Sequence, residues 1–530
     1  MAELSREEAF MKGMSLALHA SDRPDKLAVA TNYGERTFAE LNARANQLSR
    51  LLSANGIGDG DSIAVVSKNR PEFIEVYAAA LRSGIRFTPV NFHLNGEEVG
   101  YVVDNCEAKA VIYDADLGNG AEALALAPKC ELKLAVGGTV EGFEDYESAI
   151  ASLSADDIDN PIRGSQMLYT SGTTGRPKGV YRKPGAGPLQ GRGGAAQQQA
   201  GGSMSAAGFD PETDRALCTG PGYHAAPLAF NITLPLAMGV GIVMMDGWDA
   251  EETLQLVEQY QITHTHMVAT MFHRLLKLPE EVRAKYDVSS LRYLLHGAAP
   301  CPVHTKHQII DWFGPIVFEY YAATEGGGGY FIDSETWLAK PGTVGRAPNP
   351  EDTMILDEEG NAVEQGGVGT IYFKAPDSGR FEYFKSPDKT AESYRGDFFT
   401  LGDMGFLDDE GWLFLTGRSA ETIISGGVNI YPQEVDNEVM KHPSVLDCCT
   451  IGVPNDEWGE EVKAVVQLQP GCSASDDLAD ELIEFARSRL PGFKTPRSIE
   501  FADDLPRLPS GKIQRRLVRA PFWEGRERQI

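Results

Sequence analysis

Positive charge is scarce in this chain. Its 530 residues carry 48 Lys and Arg against 76 Asp and Glu, a net charge of −28. That balance argues against nonspecific binding to nucleic acid, which needs a basic face. It also means that an anionic substrate is repelled by the overall field and must be held by local cations. Long apolar runs are missing too. No stretch of 18 apolar residues occurs, so no membrane-spanning helix is expected. The N-terminus, Met-Ala-Glu-Leu-Ser-Arg-Glu-Glu, is acidic and lacks an apolar core, which argues against a signal peptide. The seven cysteines show no metal-ligand spacing and read as reduced thiols of a cytoplasmic protein. His264 and His266 alternate without a third ligand and read as packing residues.

What is present is length and alternation. A chain of 530 residues exceeds one core and predicts three or four domain-sized units. Ser62–Val66, Arg86–Val90 and Ala110–Tyr113 are strand-like, and helical spacing intervenes at Glu72–Leu81 and Glu97–Val103. This alternation predicts a parallel sheet with crossover helices. A second such region spans about 217–321, with a helix at Ala250–Tyr260 and strands near Thr263–Val268 and Leu291–Leu295. From Gly342 to Phe414, short strands and glycine turns predict a small β-barrel. Beyond Glu434 a helix, the strands Val445–Ile451 and Val462–Leu468, and an amphipathic helix Leu478–Leu490 predict a compact α+β unit. Residues 185–202, rich in Gly, Gln and Ala, read as a surface insertion.

The most informative stretch is Thr170-Ser171-Gly172-Thr173-Thr174-Gly175-Arg176-Pro177-Lys178-Gly179. Glycines, hydroxyls and one lysine offer a polyphosphate backbone N–H groups and a cation. The spacing is not that of a Walker A loop, which would need a hydroxyl residue after the lysine.

This decamer resembles the phosphate loop of the adenylate-forming superfamily, which includes acyl-CoA synthetases, luciferases and the adenylation domains of peptide synthetases. Further signatures follow in the family's order. Tyr321-Ala322-Ala323-Thr324-Glu325 resembles the Tyr-Gly-x-Thr-Glu motif, with Ala322 in place of the usual glycine. The resemblance implies adenine stacking by Tyr321 with Tyr320 beside it in the nucleotide site, a phosphate contact by Thr324, and Mg²⁺ bound by Glu325. Gly297-Ala298-Ala299-Pro300 resembles the adenine-binding turn. Gly402-Asp403 matches the end of Thr-Gly-Asp, which implies ribose binding by Asp403, and Arg418 is the matching ribose or phosphate contact. Two positions on, Ala420 stands where the family has a charged hinge residue. Ser425-Gly426-Gly427 resembles the loop that lines the pantetheine tunnel of coenzyme A. Pro509-Ser510-Gly511-Lys512 resembles the C-terminal signature, and Lys512 is the expected catalytic cation.

The resemblance implies an α/β protein. A large N-terminal AMP-binding domain, 1–417, would comprise two stacked αβα-type lobes and the small β-barrel, and a small mobile α+β lid would span 418–530. It also implies an AMP-forming acid–thiol ligase using ATP, Mg²⁺ and coenzyme A. His224 sits where the family gates the carboxylate site. Ala225, Ala226, Ala322, Gly326 and Gly327 are small and carry no charge, so the expected acyl pocket is roomy and apolar. The absence of an acid after His224 disfavours amino acids. A fatty, arylpropanoid or steroid side-chain acid remains, and the sequence does not choose among them. The alternative is a free-standing enzyme that loads a carrier protein; a nucleotide-binding protein without turnover is disfavoured by intact Lys178, Glu325, Asp403, Arg418 and Lys512. The chain is compatible with a homodimer.

Overall fold

The computed structural model describes residues 5–118, 125–170, 177–183, 208–299, 301–377, 379–425, 428–455, 458–508 and 511–524. Two sheets with crossover helices form most of the first 340 residues. The first has six parallel strands in the spatial order 144–145, 132–136, 108–114, 62–66, 86–89 and 165–166. The second has eight strands in the order 326–332, 317–323, 293–296, 264–267, 215–218, 241–244, 27–31 and 34–37. Its central strands are parallel and its two edge strands antiparallel.

Local sequence signals set the helices between these strands. Thr37 and Glu40 close a capping box on helix Phe38–Ala54, and Asn95 and Glu98 do the same on Gly96–Asn105. Pro71 starts helix Pro71–Arg82, where its missing N–H costs nothing. That helix is buried on nearly every face because it lies between the two sheets. Phe73, Ile74, Val76 and Ala79 belong to one core cluster with Val29 and Ile242 of the second sheet and Ile63 and Ile112 of the first.

Residues 343–418 form an antiparallel sheet in the order 343–346, 412–418, 398–407, 369–374 and 353–356. Its outer strands do not pair with each other among the described residues, so the expected barrel is instead an open sheet. Strand 343–346 packs beside 326–332, which supplies the cover that closure would have given. Past Arg418 a single 3₁₀ turn, Ser419–Glu421, leads to strand Ile423–Ser425 of another sheet, ordered 428–430, 423–425, 459–468 and 445–455, with 498–501 also on 459–468. Helix Asp476–Arg487 packs Leu482 and Ala486 into this sheet's core, as the apolar stripe predicts. The insertion 185–202 lies outside the described residues. No described helix is long and apolar enough to cross a membrane.

One buried ion cluster ties the elements of the N-terminal part together. Glu75 has no solvent exposure. Its Oε1 accepts from Arg44 Nε at 2.6 Å and Arg36 Nε at 3.1 Å, and its Oε2 from the Tyr146 hydroxyl at 2.8 Å. Burial pushes the carboxyl's pKa up, and the two guanidiniums oppose that rise. Removing one member strands the others, so Glu75→Leu is expected to destabilise the N-terminal part by about 3 kcal/mol. Urea unfolding, read as a shifted midpoint at unchanged slope, checks this.

Candidate active site

A cavity of about 1520 Å³ opens at the carboxyl ends of the parallel strands of the second sheet. The residues just beyond four of those strands line it: Thr219 after 215–218, Val268 after 264–267, Ala298 after 293–296 and Thr324 after 317–323. Strand ends leave main-chain groups and short loops facing one crevice, which is where open α/β sheets bind ligands.

On one wall, strands Leu168–Thr170 and Lys178–Tyr181 pair antiparallel, and Lys178 lies opposite Thr170. The connection between them carries Ser171, Gly172, Thr173, Thr174 and Gly175, which lie outside the described residues. Its two anchors, Thr170 and Lys178, both line the cavity. The Lys178 ammonium stands 5.0 Å from the Tyr383 ring centre, and the Tyr383 hydroxyl donates to Glu325 Oε1 at 2.9 Å. Thr324 and Glu325 also line the cavity. No group of three His, Cys, Asp or Glu side chains could hold a metal among the described residues. Glu325 offers a hard carboxylate oxygen at the cavity, which fits an ion such as Mg²⁺ that takes its other ligands from phosphates and water.

Strand alternation divides the tyrosines. Tyr321 turns toward the open sheet, packs with Tyr330 and Phe373, and donates its hydroxyl to Asp403 Oδ2 at 2.7 Å. Arg418 Nε donates to the other oxygen of Asp403 at 2.9 Å, across paired strands. Asp403 is thus held at both oxygens, with Arg418 at the cavity wall. Tyr320, expected in the nucleotide site, points the other way. It meets Phe230 at 4.9 Å and His266 Nε2 at 3.2 Å, in the apolar part of the cavity. The period-2 pleat is the reason: neighbours on a strand face opposite sides.

The 297–299 turn is tight. A Cβ on Gly297 would lie 2.5 Å from the Tyr320 ring, and Ala298 adopts the left-handed region at φ +67°. Ala298 lines the cavity; Gly297 and Ala299 do not. Gly326 and Gly327, expected in the acyl pocket, are also off the cavity. A Cβ on Gly327 would lie 2.9 Å from Ala322 Cα, so this residue serves close strand packing.

His224, Ala225, Ala226 and Ala322 do line the cavity. The segment Pro227–Thr233 winds as a π-helix, a wide turn that brings Ala229, Phe230 and Thr233 to the same wall. His224 Nε2 has no hydrogen-bond partner among the described residues. Burial, aided by nearby His93, lowers its pKa to about 4, so the ring is neutral at pH 7.

Lys512 enters from the C-terminal part. Gly511, at φ +82°, lies against Thr270, whose hydroxyl donates to the Gly511 carbonyl at 3.1 Å. This seats Lys512 in the cavity, where burial first and then Arg418 lower its pKa. Ala420 also lines the cavity, and the nearest acid to it in the chain, Glu421, pairs with Arg515 at 3.3 Å. Ser425 does not line the cavity, and Gly426 and Gly427 lie outside the described residues. Sequence reasoning missed Tyr383, Glu421 and Arg182. None sits inside a recognisable motif, and only folding brings them to Glu325 or Lys512.

Histidines withdrawn from water set a pH dependence, and His224, His266 and His273 are among them. Burial lowers His224 and His273 to about 4 and His266 to about 3. Each is near 6.5 when unfolded, so the unfolded chain binds more protons in the interval between. Their stability contribution is complete above pH 6.5 and is lost as pH falls toward 4. Stability is expected to drop by about 1.4 kcal/mol per pH unit for each such histidine below pH 6.5. His224→Phe should reduce that slope by one histidine's share in denaturant titrations at pH 7 and pH 5.5.

The chain matches two family models, AMP-binding enzyme over residues 16–380 and AMP-binding enzyme C-terminal domain over 434–512. A feruloyl-CoA synthase of Amycolatopsis is 32% identical over 505 residues, covering 94% of this chain and 96% of that protein. A long-chain-fatty-acid–CoA ligase of Mycobacterium tuberculosis is 29% identical over 493 residues, covering 92% and 93%. A crystal structure of an anthranilate CoA ligase with anthranoyl-AMP superimposes with a TM-score of 0.84 at 21% identity, over 98% of this chain and 99% of that one. The chain therefore belongs to the AMP-binding enzyme family, and within the adenylate-forming superfamily it is an AMP-forming acid–thiol ligase.

Proposed function

We propose that the protein is an ATP-dependent acyl-CoA ligase for a long or bulky hydrophobic carboxylic acid. The observation that carries the acid class is the apolar arm of the cavity. From His224 and Phe230 the lining continues through Ile74, Tyr77, Leu81 and Leu236 to Phe10 and Met238 near the N-terminal helices. A small aromatic acid would leave most of that arm unfilled, whereas an extended hydrocarbon chain buries against it.

In this reading the carboxylate, gated by neutral His224, attacks the α-phosphorus of ATP. A C–O–P linkage forms, the bond to the β-phosphate oxygen breaks, and pyrophosphate leaves. Lys178 and Thr324 hold the polyphosphate, and Asp403, fixed by Tyr321 and Arg418, holds the ribose. Ala298, at the cavity wall, flanks the adenine, and Tyr321, expected to stack on it, instead packs toward the open sheet and acts through Asp403. Lys512 balances the charge that gathers between carboxylate and α-phosphate. Mg²⁺, when bound at Glu325, would offset charge on the phosphates. In the second half-reaction the thiol of coenzyme A loses its proton, its sulfur attacks the acyl carbon, and AMP leaves. Because Lys512 faces the cavity and Ser425 does not, the pose seen suits the first step. We place the boundary between domain, 1–417, and lid, 418–530, at Gly417–Arg418, beside the Ser419–Glu421 turn, about which the lid would rotate to bring Ser425-Gly426-Gly427 to the tunnel.

Release of AMP and pyrophosphate from Mg-ATP is expected to turn over steadily with long hydrophobic acids and only with coenzyme A present. A single turnover unchanged by coenzyme A would point instead to a carrier-loading enzyme. Ala237→Trp, placed in the far arm, should lower kcat/KM at least about tenfold for long acids while sparing short ones. Equal loss for both would show that the arm does not hold the chain. Lys512→Ala should suppress adenylate formation by about a hundredfold or more yet spare thioester formation from preformed acyl adenylate, as single-turnover assays of each half would show.

A further inference from the structure

Arg182 stands outside every motif, one residue past strand Lys178–Tyr181. Positions 178, 180 and 182 share one side of an extended chain, and Lys178, Val180 and Arg182 all line the cavity. Arg182 Nη2 donates to the main-chain carbonyl of Glu325 at 2.6 Å and, more weakly, to that of Thr324 at 3.4 Å. Its Nε and Nη1 make no hydrogen bond to a described residue.

The charge of Arg182 is poorly matched by the protein itself. Burial lowers its pKa, and Tyr394 and Glu325 only partly oppose that. Yet no carboxylate among the described residues forms an ion pair with it, and the Glu325 carboxylate is engaged by Tyr383. A guanidinium withdrawn from water costs stability unless an anion answers it. Within this cavity the missing anion is a ligand. A planar fork of donors fits phosphate oxygens better than a single ammonium does.

We propose that Arg182 is a second polyphosphate-binding cation. Nη2 anchors the main chain at Thr324–Glu325, and the remaining donors bind the β- and γ-phosphates of ATP and the pyrophosphate they become. The proposal rests on the adenylate-forming chemistry but on neither the acid nor the thiol acceptor.

Direct calorimetric binding of Mg-pyrophosphate and of AMP tests it. Arg182→Met is expected to weaken pyrophosphate at least about tenfold, the loss of one charge-assisted contact, with AMP changed by less than about twofold. Arg182→Lys should recover part of the loss. Arg182→Gln, which keeps a donor for the Glu325 carbonyl without the charge, should give the same split and serves if Arg182→Met does not fold. Unchanged pyrophosphate binding, or equal loss of pyrophosphate and AMP, would overturn the assignment. Neither measurement uses an acid or a thiol, so it stands or falls separately from the proposed substrate class.

Discussion

An acidic protein can hold a polyphosphate only by gathering cations in one place, because its overall field repels the ligand. That constraint runs through this structure. With a net charge of −28, the chain nonetheless brings Lys178, Arg182, Arg418 and Lys512 to a single cavity. Two of them, Arg182 and Lys512, have their pKa lowered chiefly by burial, so each is a charge held short of compensation. A bound anion supplies that compensation. The same cost explains why the acids nearby are engaged: Asp403 by Tyr321 and Arg418, Glu421 by Arg515, and Glu325 by Tyr383.

The sheets make that gathering possible. Parallel strands send all their carboxyl ends to one side, so Thr219, Val268, Ala298 and Thr324 meet although they lie far apart in sequence. The pleat then sorts function by residue parity. Tyr320 and Ala322 line the cavity, and Tyr321 holds the Asp403 carboxylate. A one-residue slip of this strand would exchange the two surfaces. The C-terminal part contributes one residue on a turn whose glycine lets it press against Thr270. Lys512 thus lines the cavity beside a turn held by the Thr270–Gly511 hydrogen bond.

Much of this was legible in residue pattern. The alternation near 62–113 corresponds to strands Ser62–Val66, Arg86–Pro89 and Ala108–Asp114 with their intervening helices. The stripe Leu478–Leu490 marks helix Asp476–Arg487, because a 3.6-residue period needs only local information. The same short-range reading failed for the expected barrel. Strand propensity says that segments extend, whereas closure depends on which edges meet, and here strand 343–346 lies beside 326–332 instead. Gly326 and Gly327 misled for a related reason: small residues signal either an open pocket or close backbone packing, and only the packed neighbour decides.

The sequence by itself determined the family, the order of its motifs and the chemistry of their side chains, because glycine-rich loops, lone lysines and paired motifs act through residue type. Tertiary structure alone decided which side chains converge. Arg182 on Glu325, Tyr383 on Glu325 and Tyr321 on Asp403 join residues 58 to 143 positions apart. Such contacts depend on sheet order, pleat parity and the docking of the C-terminal turn, and none of these is encoded within a window of neighbouring residues. The depth of the apolar arm was likewise decided by packing, since its walls come from segments near residues 10, 77 and 237 that share no local signal.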